Sequence, residues 1–371
     1  MIRRFPDRLI VVSLGLAVIV VFLASLQGEF LDWDDTLNFV DNPHYRGLGL
    51  VQLRWMFTAF HHGHYTPITW LTLGLDYVVW RMNPFGYHLT SLLLHVVNAV
   101  LVYLLGIRLM LAARPGSEAM RPAIRFGAAA GALLFALHPL RVEPVAWVTE
   151  RREVLCGLLY MCAVIIYLRS WERRDVNGAL NRRAYWASVG LFSLALLSKA
   201  IAITLPFVLL VLDVYPLRRV GTAARQWSAR TLARVCVEKV PFILLSIFTG
   251  AIALFGLART ENLALVEKVG WADRFALSML SPAFYMAKTT VPVGLSPIYE
   301  RPESLHLQSL RRESREAGHV VPEHLRARSL SWPARRGNPS ERWHGWDKAA
   351  DRGLDAVAER ENQMGIVAEG G

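Results

Sequence analysis

Residues 9–26 read LIVVSLGLAVIVVFLASL, an apolar stretch of 18 residues without a charge. A helix of this length can cross the hydrocarbon core of a bilayer. Arg3 and Arg4 precede the stretch, and no small-x-small cleavage site closes it cleanly. The stretch therefore predicts a membrane-spanning signal anchor that is not cleaved.

Further apolar runs along the chain indicate a polytopic membrane protein. The 371 residues are 53% hydrophobic, with a mean hydropathy of +0.30. Long apolar runs separated by basic loops are typical of integral membrane proteins rather than soluble ones. The predicted fold class is an all-α polytopic helical bundle. We predict eight spans, at residues 8–27, 88–112, 124–138, 153–170, 184–198, 200–216, 240–258 and 276–293.

The charges of the loops predict the topology. Segments 108–125, 169–183 and 217–239 each hold more basic than acidic residues. The positive-inside rule places such loops in the cytosol. Because topology explains the net charge of +11, we expect no nucleic-acid partner. Segments 28–87 and 139–152 then lie on the outer side.

An acidic triplet stands in the first outer segment, where Asp32, Asp34 and Asp35 surround a tryptophan. Neighbouring carboxylates raise each other's pKa, which suits a general base that takes a proton from an acceptor hydroxyl. A solvated turn is the alternative, since Asp is common in turns. In the same segment, residues 48–60 and 66–80 predict helices that lie in the membrane interface or re-enter it.

Other polar residues on the outer side are candidate substrate ligands. His64 and Tyr65 belong to a histidine-rich turn whose spacing matches no closed zinc site, so we assign no metal ligand and leave a divalent metal open as a cofactor. Arginine matches phosphate oxygens with a fork of donors, and a lysine within an apolar stretch favours an anion. Interfacial salt bridges are the alternative. The further candidates are His138, Arg141, Glu143, Arg151, Arg152 and Lys199.

Several short motifs together resemble a known family. They are WDD (33–35), NP (42–43), GHYTPITW (63–70), NPFGYH (83–88), LH (94–95), FALHPLRVEPVAW (135–147) and LSK (197–199). In this order they resemble the membrane domain of O-mannosyltransferase-like proteins of the GT-C superfamily. These polytopic enzymes often carry C-terminal tetratricopeptide repeats. The resemblance covers about residues 28–300.

The resemblance implies a reaction and its partners. A sugar, mannose by the family's name, would pass from a polyprenyl-phosphate carrier to a hydroxyl acceptor, in the first place a protein Ser or Thr, with inversion. The family's acidic pair corresponds to Asp34 and Asp35, which would supply the base. The candidate partners of the departing phosphate are chosen because they are positively charged and lie on the outer side of the membrane. They are Arg141, Arg151, Arg152 and Lys199. We expect a bacterial inner membrane with the catalytic loop facing the periplasm. A transporter and a non-catalytic scaffold are the alternatives.

The composition changes near residue 300, where long apolar runs end. We therefore predict a transmembrane glycosyltransferase-like domain over 1–300 and a disordered tail over 301–371. The family usually has more spans than eight, and its repeat array is missing here. These departures predict a chain truncated or frame-shifted near Glu300, and leave its activity open.

Overall fold

The computed structural model describes residues 5–114, 116, 120–172, 181–221, 228–259, 271–296 and 299. Within these residues the chain is helical, and the only β-type pairing is an isolated bridge between His61 and His64. The α-helices are α1 (Phe5–Phe22), α2 (Leu50–Thr58), α3 (Pro67–Trp80), α4 (Pro84–Ala113), α5 (Arg121–Ala136), α6 (Val142–Ala146), α7 (Arg151–Glu172), α8 (Arg182–Leu196), α9 (Leu205–Val214), α10 (Ala229–Val237), α11 (Val240–Ala258) and α12 (Trp271–Thr290). The predicted all-α membrane fold is confirmed.

Four stretches in the described part of the chain are long and apolar enough to cross a membrane. They are Asp7–Gln27, Pro84–Ala113, Val148–Trp171 and Val240–Ala258. A fifth would be the bent pair of Arg121–Ala136 and Pro139–Ala146, whose axes differ by 59°. These stretches, with their apolar surfaces, make the chain an integral membrane protein.

The prediction of eight spans is only partly correct. Every predicted span coincides with a helix, but α8 has 15 residues and α9 has 10, which is short for a bilayer core about 30 Å thick. Helix α12 is long enough, yet it is not among the helices apolar enough to cross, because charges interrupt its sequence. Of the eight predicted spans, four, or five with the bent pair, are therefore long and apolar enough to cross by themselves.

Helix α4 has 30 residues and packs against α1, α5 and α7. On α5, Ala128, Ala132 and Ala136 recur at every fourth position and are almost fully buried. Small residues at this spacing let helix backbones approach closely inside a membrane. The polar side chains of α4 also join its neighbours: His95 Nε2 is 2.9 Å from the carbonyl of Ala136, and Asn98 donates to the carbonyl of Val154.

A second core joins α7, α8, α9 and α11. At one end of it, buried Asp213 pairs with Arg219 at 2.9 Å and with Lys239 at 2.5 Å. Tyr167 of α7 donates to the same carboxylate at 2.9 Å. Because each charge has a partner, this cluster can be buried without leaving an isolated ion.

Two of the basic segments, 108–125 and 217–239, contact each other in the structure. Arg125, at the start of α5, pairs with Asp7, at the start of α1, at 2.8 Å. Arg218, in the segment after α9, donates to the carbonyl of Ala113 at the end of α4. These contacts place the beginnings of α1 and α5 at one end of the bundle, and join the end of α4 to the segment after α9.

Packing divides the chain into two units, Met1–Val266 and Glu267–Gly371. This division lies before the composition change at residue 300. Within the second unit the structure describes α12 and the residues that follow it as far as 296, with residue 299. The predicted tail, 301–371, lies outside the described residues.

Candidate active site

The acidic loop after α1 holds its two central carboxylates in opposite environments. The side chain of Asp34 is exposed, whereas that of Asp35 is fully buried. Two neighbouring residues of a tight helical turn point in different directions, so the pair does not act as one unit. Of the two, only Asp34 has a side chain that is exposed to solvent.

Asp35 anchors the loop to the rest of the bundle. Its Oδ2 accepts a hydrogen bond from the amide of Leu31 at 3.0 Å. Its Oδ1 accepts two from Thr149, one from the amide at 3.0 Å and one from the hydroxyl at 2.5 Å. Asn38, a turn later, donates its side-chain amide to the Thr149 hydroxyl at 3.1 Å. The loop is therefore held by a residue more than a hundred positions away.

Burial raises the pKa of Asp35, and the hydrogen bonds from Thr149 and Leu31 lower it in part. From the sequence, we expected repulsion between neighbouring carboxylates to raise the pKa. In the structure, the largest cause of the raised pKa of Asp35 is its removal from water. The Asp35 carboxylate is fully buried and three of its roughly four acceptor positions are already occupied, so a substrate hydroxyl cannot reach it in this arrangement. We therefore interpret Asp35 as the anchor of the loop and Asp34 as the candidate base.

A cluster of charged side chains, the Glu150 cluster, lies at the start of α7 next to Thr149. Glu150 accepts from Arg152 at 2.5 Å and from Lys199 at 2.9 Å. Lys199 also pairs with Glu153 at 2.5 Å. All four side chains are partly accessible to solvent. The structure thus brings together two of the predicted phosphate partners, Arg152 and Lys199. Both form salt bridges with Glu150, as the alternative to phosphate binding expected.

Helix α3 positions Lys199. The amide of Ile68 donates to the carbonyl of Leu197 at 3.2 Å, and the hydroxyl of Thr69 donates to the carbonyl of Ser198 at 3.0 Å. Pro67 starts this helix, as the fixed backbone angle of proline favours. The predicted second helix of the outer segment therefore fixes the turn that carries the lysine.

His64 and Tyr65 lie in the loop between α2 and α3. His64 is exposed, and partial desolvation together with the positive charges of Arg152 and Lys199 lowers its pKa. The imidazole of His64 therefore lies close enough to the Glu150 cluster to interact with its charges. Tyr65 donates its hydroxyl to the carbonyl of Phe57 at 2.9 Å, which ties the loop to α2.

The loop between α2 and α3 also approaches α11 closely. A Cβ at Gly256 would stand 2.5 Å from the carbonyl oxygen of Gly63, closer than atoms can pack. The absence of a side chain at Gly256 therefore gives the loop its place against the bundle.

The three candidates of the bend after α5 have different positions. His138 accepts a hydrogen bond from the amide of Leu140 at 3.2 Å and so caps the turn. The guanidinium of Arg141 stacks over the ring of Phe135 at 5.0 Å and interacts electrostatically with Glu153. Glu143 is exposed and interacts with Glu150 and Lys199. Arg141 and Glu143 therefore border the Glu150 cluster.

Arg151 does not face this cluster. Its guanidinium is fully buried, forms an ion pair with Asp76 of α3, and donates to the hydroxyl of Ser91 at 3.2 Å and to the carbonyl of Tyr87 at 2.6 Å. These contacts join α3, α4 and α7. We therefore exclude Arg151 from the phosphate partners and assign it a role in packing.

In the part of the chain that the structure describes, no group of three or more His, Cys, Asp or Glu side chains is arranged to hold a metal ion. The histidines at 61 and 64 are joined through their backbones instead.

Comparison with known proteins connects this arrangement to a family. Protein O-mannosyl-transferase TMTC1 of Homo sapiens is 32% identical over 209 residues, which are 52% of this chain and 22% of the human protein. Over about half of its length the chain is similar to a protein O-mannosyl-transferase. Protein O-mannosyl-transferase F38B6.6 of Caenorhabditis elegans is 30% identical over 177 residues, covering 46% of this chain and 23% of that protein. Drosophila melanogaster Tmtc3, also named a protein O-mannosyl-transferase, is 33% identical over 147 residues, 37% of this chain and 15% of that protein.

The chain spans about a fifth of the length of the first of these relatives. No family model matches it, and no solved structure does. The resemblance that the motifs indicate to O-mannosyltransferase-like proteins is confirmed by these relatives.

Sequence reasoning missed one residue that anchors the acidic loop and one that packs the helices beside it. Thr149 was not a candidate, although it holds both Asp35 and Asn38. Asp76 was assigned no role, although it is the ion-pair partner of Arg151. The presence of an acid inside an apolar helix was a usable signal for Asp76, because such a residue requires a partner. Thr149 carried no signal of this kind.

Proposed function

We propose that this chain is a membrane glycosyltransferase that moves mannose from a polyprenyl-phosphate carrier to the hydroxyl of a protein Ser or Thr. The sugar and the acceptor class follow the names of the relatives. The observation that carries the proposal is the exposed carboxylate of Asp34, on a loop that Asp35 joins to Thr149, next in sequence to the Glu150 cluster. A base and a set of cations are the two groups that this transfer requires.

The proposed step is a displacement at the anomeric carbon. The acceptor hydroxyl gives its proton to Asp34 as its oxygen forms a bond to that carbon. The bond between the carbon and the phosphate oxygen breaks, and the electron pair leaves with the lipid phosphate. Because the acceptor enters opposite the leaving group, the configuration at the anomeric carbon inverts.

Arg152 and Lys199 are the proposed partners of the leaving phosphate, with Arg141 at the border. Charge develops on the phosphate oxygen as the bond breaks, and cations aimed at that position stabilise the transition state. In the structure both cations are paired with Glu150, and Lys199 also with Glu153. The phosphate must therefore compete with these carboxylates for the two cations.

We propose that the acidic loop faces away from the cytosol, which is the periplasmic side of a bacterial inner membrane. The basic segments that meet near Ala113 and Asp7 support this orientation by the positive-inside rule. The named relatives come from animals, so the proposal of a bacterial membrane rests on the sequence alone.

The proposal is tested by sugar transfer in lipid. The purified chain in proteoliposomes receives polyprenyl-phosphate-mannose and peptides that contain Ser or Thr, and we expect a mannosylated peptide. A peptide whose hydroxyl residues are replaced by alanine is the control. Absence of product from a folded protein, with solute uptake that depends on Asp34, would instead favour a transporter. Absence of both activities would favour a scaffold.

The substitution Lys199→Gln is expected to raise the donor KM by about 10- to 100-fold, because a hydrogen bond to a charged group contributes about 1.5–3 kcal/mol. Initial rates at varied donor concentration measure this change. Lys199→Arg keeps the charge and should recover most of the affinity. Arg54→Gln removes an exposed cation of α2 and is the matched control. A donor KM that stays unchanged in Lys199→Gln would remove the lysine from the phosphate site.

A further inference from the structure

Thr149 lies between the two parts of the candidate site, the acidic loop with Asp34 and the Glu150 cluster. It was not among the site residues predicted from the sequence. Its amide and hydroxyl both donate to Asp35, at 3.0 Å and 2.5 Å, and its hydroxyl accepts from Asn38 at 3.1 Å. The next residue, Glu150, holds Arg152 and Lys199. One dipeptide therefore contacts both the loop with the candidate base and the candidate phosphate partners.

We infer that Thr149 is a positioning residue for the transfer: its hydroxyl sets the acidic loop against the start of α7 and so fixes Asp34 relative to Arg152 and Lys199. This inference rests on the proposed function. It assigns the control of geometry to a buried residue whose hydroxyl is bonded to Asp35 and Asn38.

The chemistry of the contact requires a hydroxyl. A hydroxyl can donate one hydrogen bond and accept another at the same time, and Thr149 does both, toward Asp35 and from Asn38. Valine has the same shape and can do neither. Serine keeps both capacities. Comparing threonine, valine and serine at position 149 therefore distinguishes the effect of the hydrogen bonds from the effect of side-chain size.

The other contacts of the loop hold its later part, where Phe39 is buried and Arg46 donates to the carbonyls of Phe39 and Val40, or involve the ring of Trp33 beside Asp34. Trp33 meets Trp147 edge to face, with ring centroids 5.8 Å apart. Much of the loop is otherwise open, since Leu31 and Leu37 are exposed. A displacement of about 1 Å in a reacting group can reduce a rate about 100-fold, so an anchor of this kind has a large kinetic effect without touching substrate.

The test compares Thr149→Val with Thr149→Ser in the proteoliposome assay. We expect Thr149→Val to lower kcat by about 10- to 100-fold with little change in donor KM, and Thr149→Ser to stay within about threefold of wild type. Thr36→Val is the matched control, because it removes another bond from a threonine hydroxyl to a carboxylate of the same loop, to Asp32 at 3.3 Å. It should leave kcat unchanged.

A pH profile separates positioning from simple loss of fold. The groups that face the Asp35 carboxylate are the amides of Leu31 and Thr149, the Thr149 hydroxyl and the indole of Trp147. Loss of the hydroxyl donor makes this carboxylate harder to ionise and raises its pKa. Because the ionised carboxylate of Asp35 is the acceptor that holds Asp34 in place, protonation of Asp35 should itself lower kcat, and this acidic limb should move to higher pH in Thr149→Val but not in Thr149→Ser or Thr36→Val. A smaller folded fraction would lower kcat without moving the limb.

Hydrogen–deuterium exchange gives a readout that needs no activity. The amide of Leu31, which donates to Asp35, should exchange faster in Thr149→Val than in Thr149→Ser. If wild type transfers sugar and Thr149→Val matches it in kcat and exchange, the positioning inference is overturned. If wild type transfers no sugar but exchange rises only in Thr149→Val, the proposed function fails while the anchoring role stands.

Discussion

Replacement of Asp34 by Asn is expected to reduce sugar transfer by about 10²- to 10⁴-fold, the usual contribution of a general base. The asparagine keeps the size of the side chain but cannot take the proton of the acceptor hydroxyl. Because Asp34 is exposed, the change should leave the fold intact. The expected effect is on kcat, measured with saturating donor and acceptor in proteoliposomes.

Two substitutions in the same loop make this result specific. Asp32→Asn changes another exposed carboxylate two residues away and should retain near wild-type kcat. Asp35→Asn should lower kcat through the loop, with faster exchange of the Leu31 amide, since its carboxylate is the acceptor there. A wild-type rate in Asp34→Asn would assign the base to another group, and equal losses in Asp32→Asn and Asp34→Asn would indicate a general charge effect.

The helices of this protein could be predicted from sequence because the signal is local. Residues 9–26 and 240–258 are continuous apolar runs, and each is a helix long enough to span. The number of spans could not be predicted in the same way. Whether α8 and α9 cross alone depends on what their ends pack against, which an apolar run of 10 or 15 residues does not encode.

For the candidate site, too, the sequence indicates which residues are present, but it does not indicate contacts between residues that are distant in sequence. Asp34 and Asp35 are neighbours in one acidic loop, but their different environments depend on contacts of Asp35 with Thr149, which is distant in sequence. Arg151 and Arg152 are adjacent and of one type, so composition cannot separate them. One residue along a helix turns the side chain by about 100°, which buries Arg151 and leaves Arg152 partly accessible.

Replacement of Arg151 by Met is expected to destabilise the protein by about 3–5 kcal/mol, the usual cost of removing one partner of a buried ion pair. The methionine fills much of the space but leaves Asp76, almost fully buried, without its cation. Burial already raises the pKa of Asp76, and Arg151 is the charge that counteracts this. The midpoint of thermal unfolding in detergent, measured at one protein concentration, reports the loss.

The neighbouring residue supplies the control that distinguishes packing from binding. Arg152→Met removes a side chain that is 19% exposed and should cost much less stability, while it raises the donor KM. The double variant Arg151→Met with Asp76→Leu removes both charges and should recover part of the stability, because no buried charge is then left alone. If Arg151→Met kept the wild-type midpoint and raised the donor KM instead, the guanidinium would have to reach the phosphate, and the buried ion pair would not be its resting position.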